Sequence, residues 1–324
     1  MPISPAWLLP TNIQAELPAQ ARQTLPGHVF AINGTITSLM CFHLALNSLK
    51  QHYDLEQWSA PDSQLDHDDH PTQHAKLPAR ILIVFPDRAD IHVNLVKENE
   101  SWLSEEGGKG HLRRLLRRIE LRFCPTATHY RFFLSSLVLA HTGKANAVPP
   151  GLVQIILCNP SAYLDDPEIT SASAYGALVA LAVNCVAQLS TPDQQVDLAI
   201  LDTQAHTLDL PVVAPALSSK IPANSPTPSG NRTREPRLPA GNISDHFADW
   251  SVSITGDPVA QPSTTPVADG QDGSHLAGTY TISAKACSAS AKHADRMTSW
   301  RFRLVSDDSE LGFGWRNRLR FIKE

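Results

Sequence analysis

Four apolar runs in this chain are continuous rather than alternating, and turn-forming residues bound each one. They are HVFAI (28–32), RILIVF (80–85), LVQIILC (152–158) and VDLAIL (196–201). A strand covered on both faces carries such a run, because neither face meets water. A fifth run, IELRFC (119–124), mixes polar and apolar positions and predicts a strand nearer a sheet edge. Between these runs the apolar positions recur at three- and four-residue spacing, predicting helices over 37–50, 111–118, 128–140 and 172–189. Strands alternating with helices predict a mostly parallel sheet flanked by helices. Near the C-terminus the period changes to two. TYTISAKACSAS and SWRFRLVS alternate as half-exposed antiparallel strands do.

Three polar stretches interrupt this pattern. Residues 58–79 carry Pro, Asp and His and read as an exposed insertion; 211–240 read as a proline-rich loop; 256–277 read as a flexible hairpin tip. With 324 residues, the chain holds one α/β domain of about 200 to 250 residues and looser material. The expected division is an N-terminal extension over 1–24 and a single domain over 25–324, with no internal repeat.

Charge and cysteine content narrow the chemistry. Net charge is −5, so bulk attraction to nucleic acid is not indicated and any such contact needs a local patch. The five cysteines are widely spaced and form no C-x-x-C pair, which reads as buried reduced thiols. The N-terminus lacks a basic start and an unbroken apolar core, so it does not read as a secretory signal. The longest apolar run, AYGALVALAVNCVAQL, is short for a membrane span and carries Asn184 and Gln188; no membrane partner is expected.

The candidate chemistry begins at VFAINGTITSLMCFHLAL. Strand, glycine, small polar residues and helix follow one another here as in a phosphate-binding loop, yet no Gly-Lys-Thr is present. Gly34, Thr37, Ser38 and Met40 occupy the loop and helix start. A plain strand–turn–helix accounts for the segment equally well. In GLVQIILCNPSAYL, Cys158 and Asn159 end a strand where a magnesium-organising acid would stand. Asp165 and Asp166 follow beyond the strand end, and Asp202, Thr203 and Gln204 end the next strand. HLRRLLRRIELR sets Leu112, Leu115, Leu116 and Ile119 on one helical face, and Arg113, Arg114, Arg117 and Arg118 on the other. Four guanidinium groups on two turns grip phosphates or carboxylates, or simply form a solvated face. Arg232, Arg234 and Arg237 form a second basic segment. DHDDHPTQH offers His67, His70 and His74 with acids, but Pro71 argues against an ordered metal site, and no metal is expected. GGKG and HTGKAN lack the strand–loop–helix setting of a phosphate loop.

Taken in order, these segments resemble the ATPase core of RecA-type recombinases, and in particular paralogues of the eukaryotic strand-exchange recombinase such as subunits of the Shu complex. AGNISDHFADWSVSI is similar to that family's Gly-Asn and helix-to-strand segment, and RFRLVSDDSELGFG to its terminal strand. The resemblance covers roughly 25–210 and 240–316. It implies a RecA-like α/β core with C-terminal antiparallel strands and degenerate Walker A and Walker B positions: no Lys in the loop, and Cys158 in place of the acid. It implies a non-catalytic subunit without bound ATP or other cofactor, acting in homologous recombination and DNA repair. Its partners would be another RecA-like paralogue or recombinase subunit and single-stranded DNA. The nucleus is the implied compartment, with the cytoplasm as alternative. The RecA-like subunits of Elongator, which act in tRNA wobble-uridine modification, are the second reading, and an ATPase with an unconventional phosphate loop the third.

Overall fold

The computed structural model describes residues 4–9, 14, 25, 27–53, 79–98, 109–142, 151–164, 170–192, 194–212, 236–258, 278–287, 298–307 and 316–320. The elements are β1 (Val29–Gly34), α1 (Ser38–His52), β2 (Arg80–Phe85), α2 (Arg88–Glu98), α3 (Gly110–Leu116), β3 (Ile119–Phe123), α4 (Ala127–Thr142) and β4 (Leu152–Cys158). There follow α5 (Ala172–Leu189), β5 (Asp197–Asp202), β6 (Asp209–Pro211), β7 (Arg237–Pro239), α6 (Ala240–Phe247), β8 (Trp250–Pro258), β9 (Gly278–Ala286), β10 (Thr298–Asp307) and β11 (Arg316–Arg320).

One nine-stranded sheet organises them, in the order β11-β10-β9-β8-β1-β5-β4-β2-β3. The pairings from β3 through β8 are parallel; β8–β9, β9–β10 and β10–β11 are antiparallel. This is the layout the sequence predicts: an α/β core with a mostly parallel sheet flanked by helices, and antiparallel C-terminal strands. Burial explains the choice of strand. Every residue of β4 and β5 is buried, as continuous apolar runs with neighbours on both sides require. The mixed run 119–123 lies at the edge, as its composition predicts.

Helices fill both faces. On one face α1, α2, α3 and the 3-10 turn Pro5–Leu8 cover Phe30, Ile32, Ile81, Ile83, Ile156 and Leu201. On the other, α4, α5 and α6 cover Leu82, Val84, Ile155, Leu157, Leu198 and Ile200. Each fully buried Leu or Ile contributes about 1.5–3 kcal/mol relative to exposure. The Pro5–Leu8 turn belongs to this core: Ala6, Trp7, Leu8 and Leu9 are buried, and Asn47 of α1 donates to the carbonyls of Trp7 and Leu9.

Helix limits follow local signals. Ser171 caps α5 by accepting from Ala174 N at 3.1 Å, and Pro192 follows its end. α5 spans 172–189 as predicted, and its 18 residues are long and apolar enough to cross a membrane by length and composition alone. Here, however, Tyr175, Leu178, Val179, Ala182 and Val186 bury its apolar face in the core. α2 was not predicted: its first residues, RADIHVN, are too polar to stand out by period. The predicted 111–118 helix is shorter than expected. It ends at Leu116, with Arg117 as C-cap and Arg118 in the turn into β3, because the chain must extend to pair Ile119 with Ile81. Helix α6 and strand β8 occupy much of the segment singled out as helix-to-strand.

Candidate functional site

A cleft of about 330 Å³ opens at the carboxyl ends of the parallel strands, where open α/β sheets hold ligands. Thr35, Ile36 and Thr37 from the β1–α1 connection with Ser38 at the start of α1, Phe85 at the end of β2 with Pro86 and Asp87 after it, Cys158 at the end of β4 with Asn159 after it, and Leu201 and Thr203 around the end of β5 line it. Cys41, Ile91 and Asn94 complete the wall from α1 and α2. Of the sequence-predicted residues, Thr37, Ser38, Cys158 and Asn159 therefore share one site. Gly34 and Met40 do not line it.

Gly34 has a different task from cradling phosphate. Its φ is +107°, and a Cβ there would lie 2.1 Å from the Ile254 carbonyl oxygen. The glycine lets β1 run against β8. The next amide, Thr35 N, donates to that same carbonyl at 2.8 Å, so it is engaged within the sheet. Met40 stands near where the loop cation was expected, but it is buried among the core residues under α1. The connection between Gly34 and Ser38 holds only Thr35, Ile36 and Thr37. Three residues are too few to wrap a phosphate chain with backbone amides.

The electrostatics of the wall are those of a neutral cleft with one anion. Asp87 is the one charged residue among the described residues lining it, and its Oδ1 accepts from Ala89 N at 2.9 Å at the start of α2. Cys158 offers a thiol where a carboxylate would be needed to organise a cation. Asn159 adopts φ 49° and is tied into the sheet end. Its N donates to the Leu201 carbonyl at 2.6 Å, and its Oδ1 accepts from Thr203 N at 3.0 Å and Thr203 Oγ1 at 3.1 Å. These bonds fix the β4–β5 rim and occupy the atom that would otherwise ligate.

Asp202, at the end of β5, is wholly buried and serves the fold. It accepts from Ser161 Oγ at 2.6 Å, Ser161 N at 3.1 Å, Tyr175 OH at 2.9 Å and Gln204 N at 3.0 Å. Burial raises its carboxyl above the usual range; the hydrogen bonds from Ser161, Gln204 and Tyr175 pull the other way and do not cancel it. Burial likewise pushes the Tyr175 hydroxyl well above its ordinary value, with the Asp202 charge adding to it, and pushes the Cys185 thiol up to about 12. All five cysteines are thiols; Cys41, Cys124, Cys158 and Cys185 are buried, and Cys287 is half-buried.

The arginine cluster lies elsewhere. Arg113 and Arg114 are on α3, and Arg117 and Arg118 lie between α3 and the amino end of β3. Arg113 and Arg117 are exposed, Arg114 and Arg118 half-buried, and none lines the cleft. Arg232, Arg234, Asp165, Asp166 and the histidines of 67–74 lie outside the described residues. Among the described residues no group of three His, Cys, Asp or Glu could hold a metal ion. Sequence reasoning missed Asp87 and Asn94. The signal was present, since Pro-Asp directly follows a buried strand, and parallel strands deliver their following residues to such a cleft.

No family model and no curated protein matches this chain. Among solved structures it is similar to one described as the crystal structure of the RadB recombinase. The TM-score is 0.42 and the identity 8%, covering 86% of this chain and 88% of that one.

Proposed function

We propose that this chain is a non-catalytic RecA-like subunit in homologous recombination and DNA repair, scaffolding a recombinase-paralogue complex on single-stranded DNA in the nucleus. The observation that carries this reading is the cleft. It stands where strand ends deliver ligand groups, yet among the described residues its lining holds no Lys or Arg, Asp87 opposes phosphate, and Cys158 stands in the place of the acid. Phosphoryl transfer depends on cations and a metal to offset the charge of the transferred group. Without them the cleft keeps its architecture and loses that chemistry, which leaves assembly as the work of the molecule.

The test is twofold. Thermal unfolding is measured with and without millimolar magnesium ATP, alongside isolation of the stably bound subunit. A ligand at a hundred times its Kd stabilises by about 2.7 kcal/mol, so binding would be visible. No magnesium-dependent shift, with a recombinase-type RecA-like subunit bound, is the expected result. A clear shift would sink the scaffold reading, and Elongator subunits in its place would move the chain to tRNA modification.

A further inference from the structure

The C-terminal strands carry a second feature that the arginine cluster on α3 does not share. Register fixes which positions of β8–β11 lie on the same face. Thr281 pairs with Thr255 and Arg301, and Thr279 with Arg303. Arg303 in turn pairs with Arg320, Val305 with Arg318, and Asp307 with Arg316. Paired positions in an antiparallel ladder lie on one side of the sheet, and so do positions two apart on a strand. Lys285, Arg301, Arg303, Arg316, Arg318 and Arg320 therefore occupy one face, with Asp257 and Asp307 as the acids placed among them. The opposite face holds Val252, Ile254, Ile282, Ala284 and Ala286, all buried in the core. On the basic face Lys285 and Thr255 are exposed, and Thr281 and Ser283 are half-buried. By register, Thr279, Thr281, Ser283 and Ser299 share the face with the cations, and Val305 is an apolar position among them.

Six cations against two acids stand out on a chain whose net charge is −5. Such a face is opposite in sign to the net charge of the whole chain, and it draws a polyanion. The aromatic positions of these strands, Trp250, Tyr280, Trp300 and Phe302, fall on the other face by the same register. By register position, this face carries cationic and hydroxyl residues and, among the described residues, no aromatic one, which is the composition of sequence-independent backbone recognition.

We infer that this face of β9–β11 binds the sugar-phosphate backbone of single-stranded nucleic acid, without reading its bases. The inference rests on the reading of the chain as a subunit that assembles on single strands, and it places the contact on the antiparallel extension. Each phosphate neutralised on a single strand contributes about 0.7 to the slope of log affinity against log salt. Neutralising three contacts removes roughly two units of that slope.

The experiment measures fluorescence anisotropy of a labelled thirty-residue oligo-dT against the full chain from about 50 to 200 mM salt. The wild type is compared with R316Q/R318Q/R320Q, with R301Q/R303Q, and with the single variant R318Q in case the triple unfolds; thermal midpoints check folding. At the lowest salt the triple variant is expected to bind at least tenfold more weakly, with a slope shallower by roughly two. The double is expected to fall severalfold, R318Q two- to fivefold, and oligo-dA to behave as oligo-dT. Folded variants that bind as the wild type would overturn the inference while leaving the scaffold reading standing. A wild type that binds no oligonucleotide at all would overturn both the inference and the DNA part of that reading. Loss of binding to phosphatidylserine vesicles without any oligonucleotide binding would overturn it in favour of a membrane surface.

Discussion

Gly34 and Asp202 lie one position apart across neighbouring strands, and each holds the sheet's carboxyl end in its own way. Replacing Gly34 with Ala places a methyl against the Ile254 carbonyl at a positive φ. Strain and overlap together cost about 3 kcal/mol or more, so chemical denaturation of Gly34→Ala is expected to show a large loss or no folded protein. Asp202→Asn leaves an NH2 among four donors and costs roughly 2–4 kcal/mol. Its pH dependence has a definite sign. The native carboxyl is raised, so between the unfolded value near 4 and the raised native value the folded state holds its proton more tightly. That contribution favours the native state at low pH and fades as pH rises through this window. The stability gap between wild type and Asp202→Asn is therefore expected to narrow from pH 4 upward in urea titrations; a widening gap would contradict the raised carboxyl. Beside it Asn33 is wholly buried, and neither atom of its side-chain amide has a partner among the described residues.

Elements were legible wherever burial was two-sided or the period was strong. The runs at 80–85, 152–158 and 196–201 could only be core strands, and α5 follows from its spacing and its Ser171 cap. The polar start of α2 hid that helix, and Arg117 and Arg118 looked helical because sequence period cannot show where a chain must extend to pair with β2. The candidate site was half legible. Thr37, Ser38, Cys158 and Asn159 converge as strand ends in a parallel sheet should, whereas Met40 was misplaced because sequence cannot fix the rotation of a helix against its loop. The split arginine cluster bears on its own test. With Arg114 and Arg118 half-buried, changing Arg113, Arg114, Arg117 and Arg118 to Ala removes packing as well as charge. The quartet variant is expected to weaken binding to single-stranded DNA and flatten its salt dependence. Unchanged binding in a folded quartet would remove α3 from the DNA contact.

At the scale of the whole molecule, charge and layer are segregated. Over residues 109–131 the chain carries Lys109, Arg113, Arg114, Arg117, Arg118, Arg122 and Arg131 against Glu120 alone, and a second basic set lies on the far antiparallel strands. These lie towards opposite edges of one nine-stranded sheet. An elongated polyanion reaching both would cross the sheet, and combining the α3 and β11 substitutions is the double-mutant cycle that measures whether the two contacts are coupled. Between them, α4 presents Phe132 and Leu139, 74% and 69% exposed, in a helix whose only charged residue is Arg131.

The placement of β1 has a consequence for how the protein is made. β1 pairs with β5 and β8, so Phe30 meets Ala199 on one side and Trp250 on the other, and Asp249 Oδ2 accepts from the amides of His28 and Val29. A ribosome extends the chain by about 5–20 residues per second. Once made, β1 therefore waits many seconds for its nearer neighbour β5 and longer for β8. During that interval Val29–Gly34 is an apolar ribbon with both edges open, and a nascent chain halted before β5 is the form that a chaperone would have to shield.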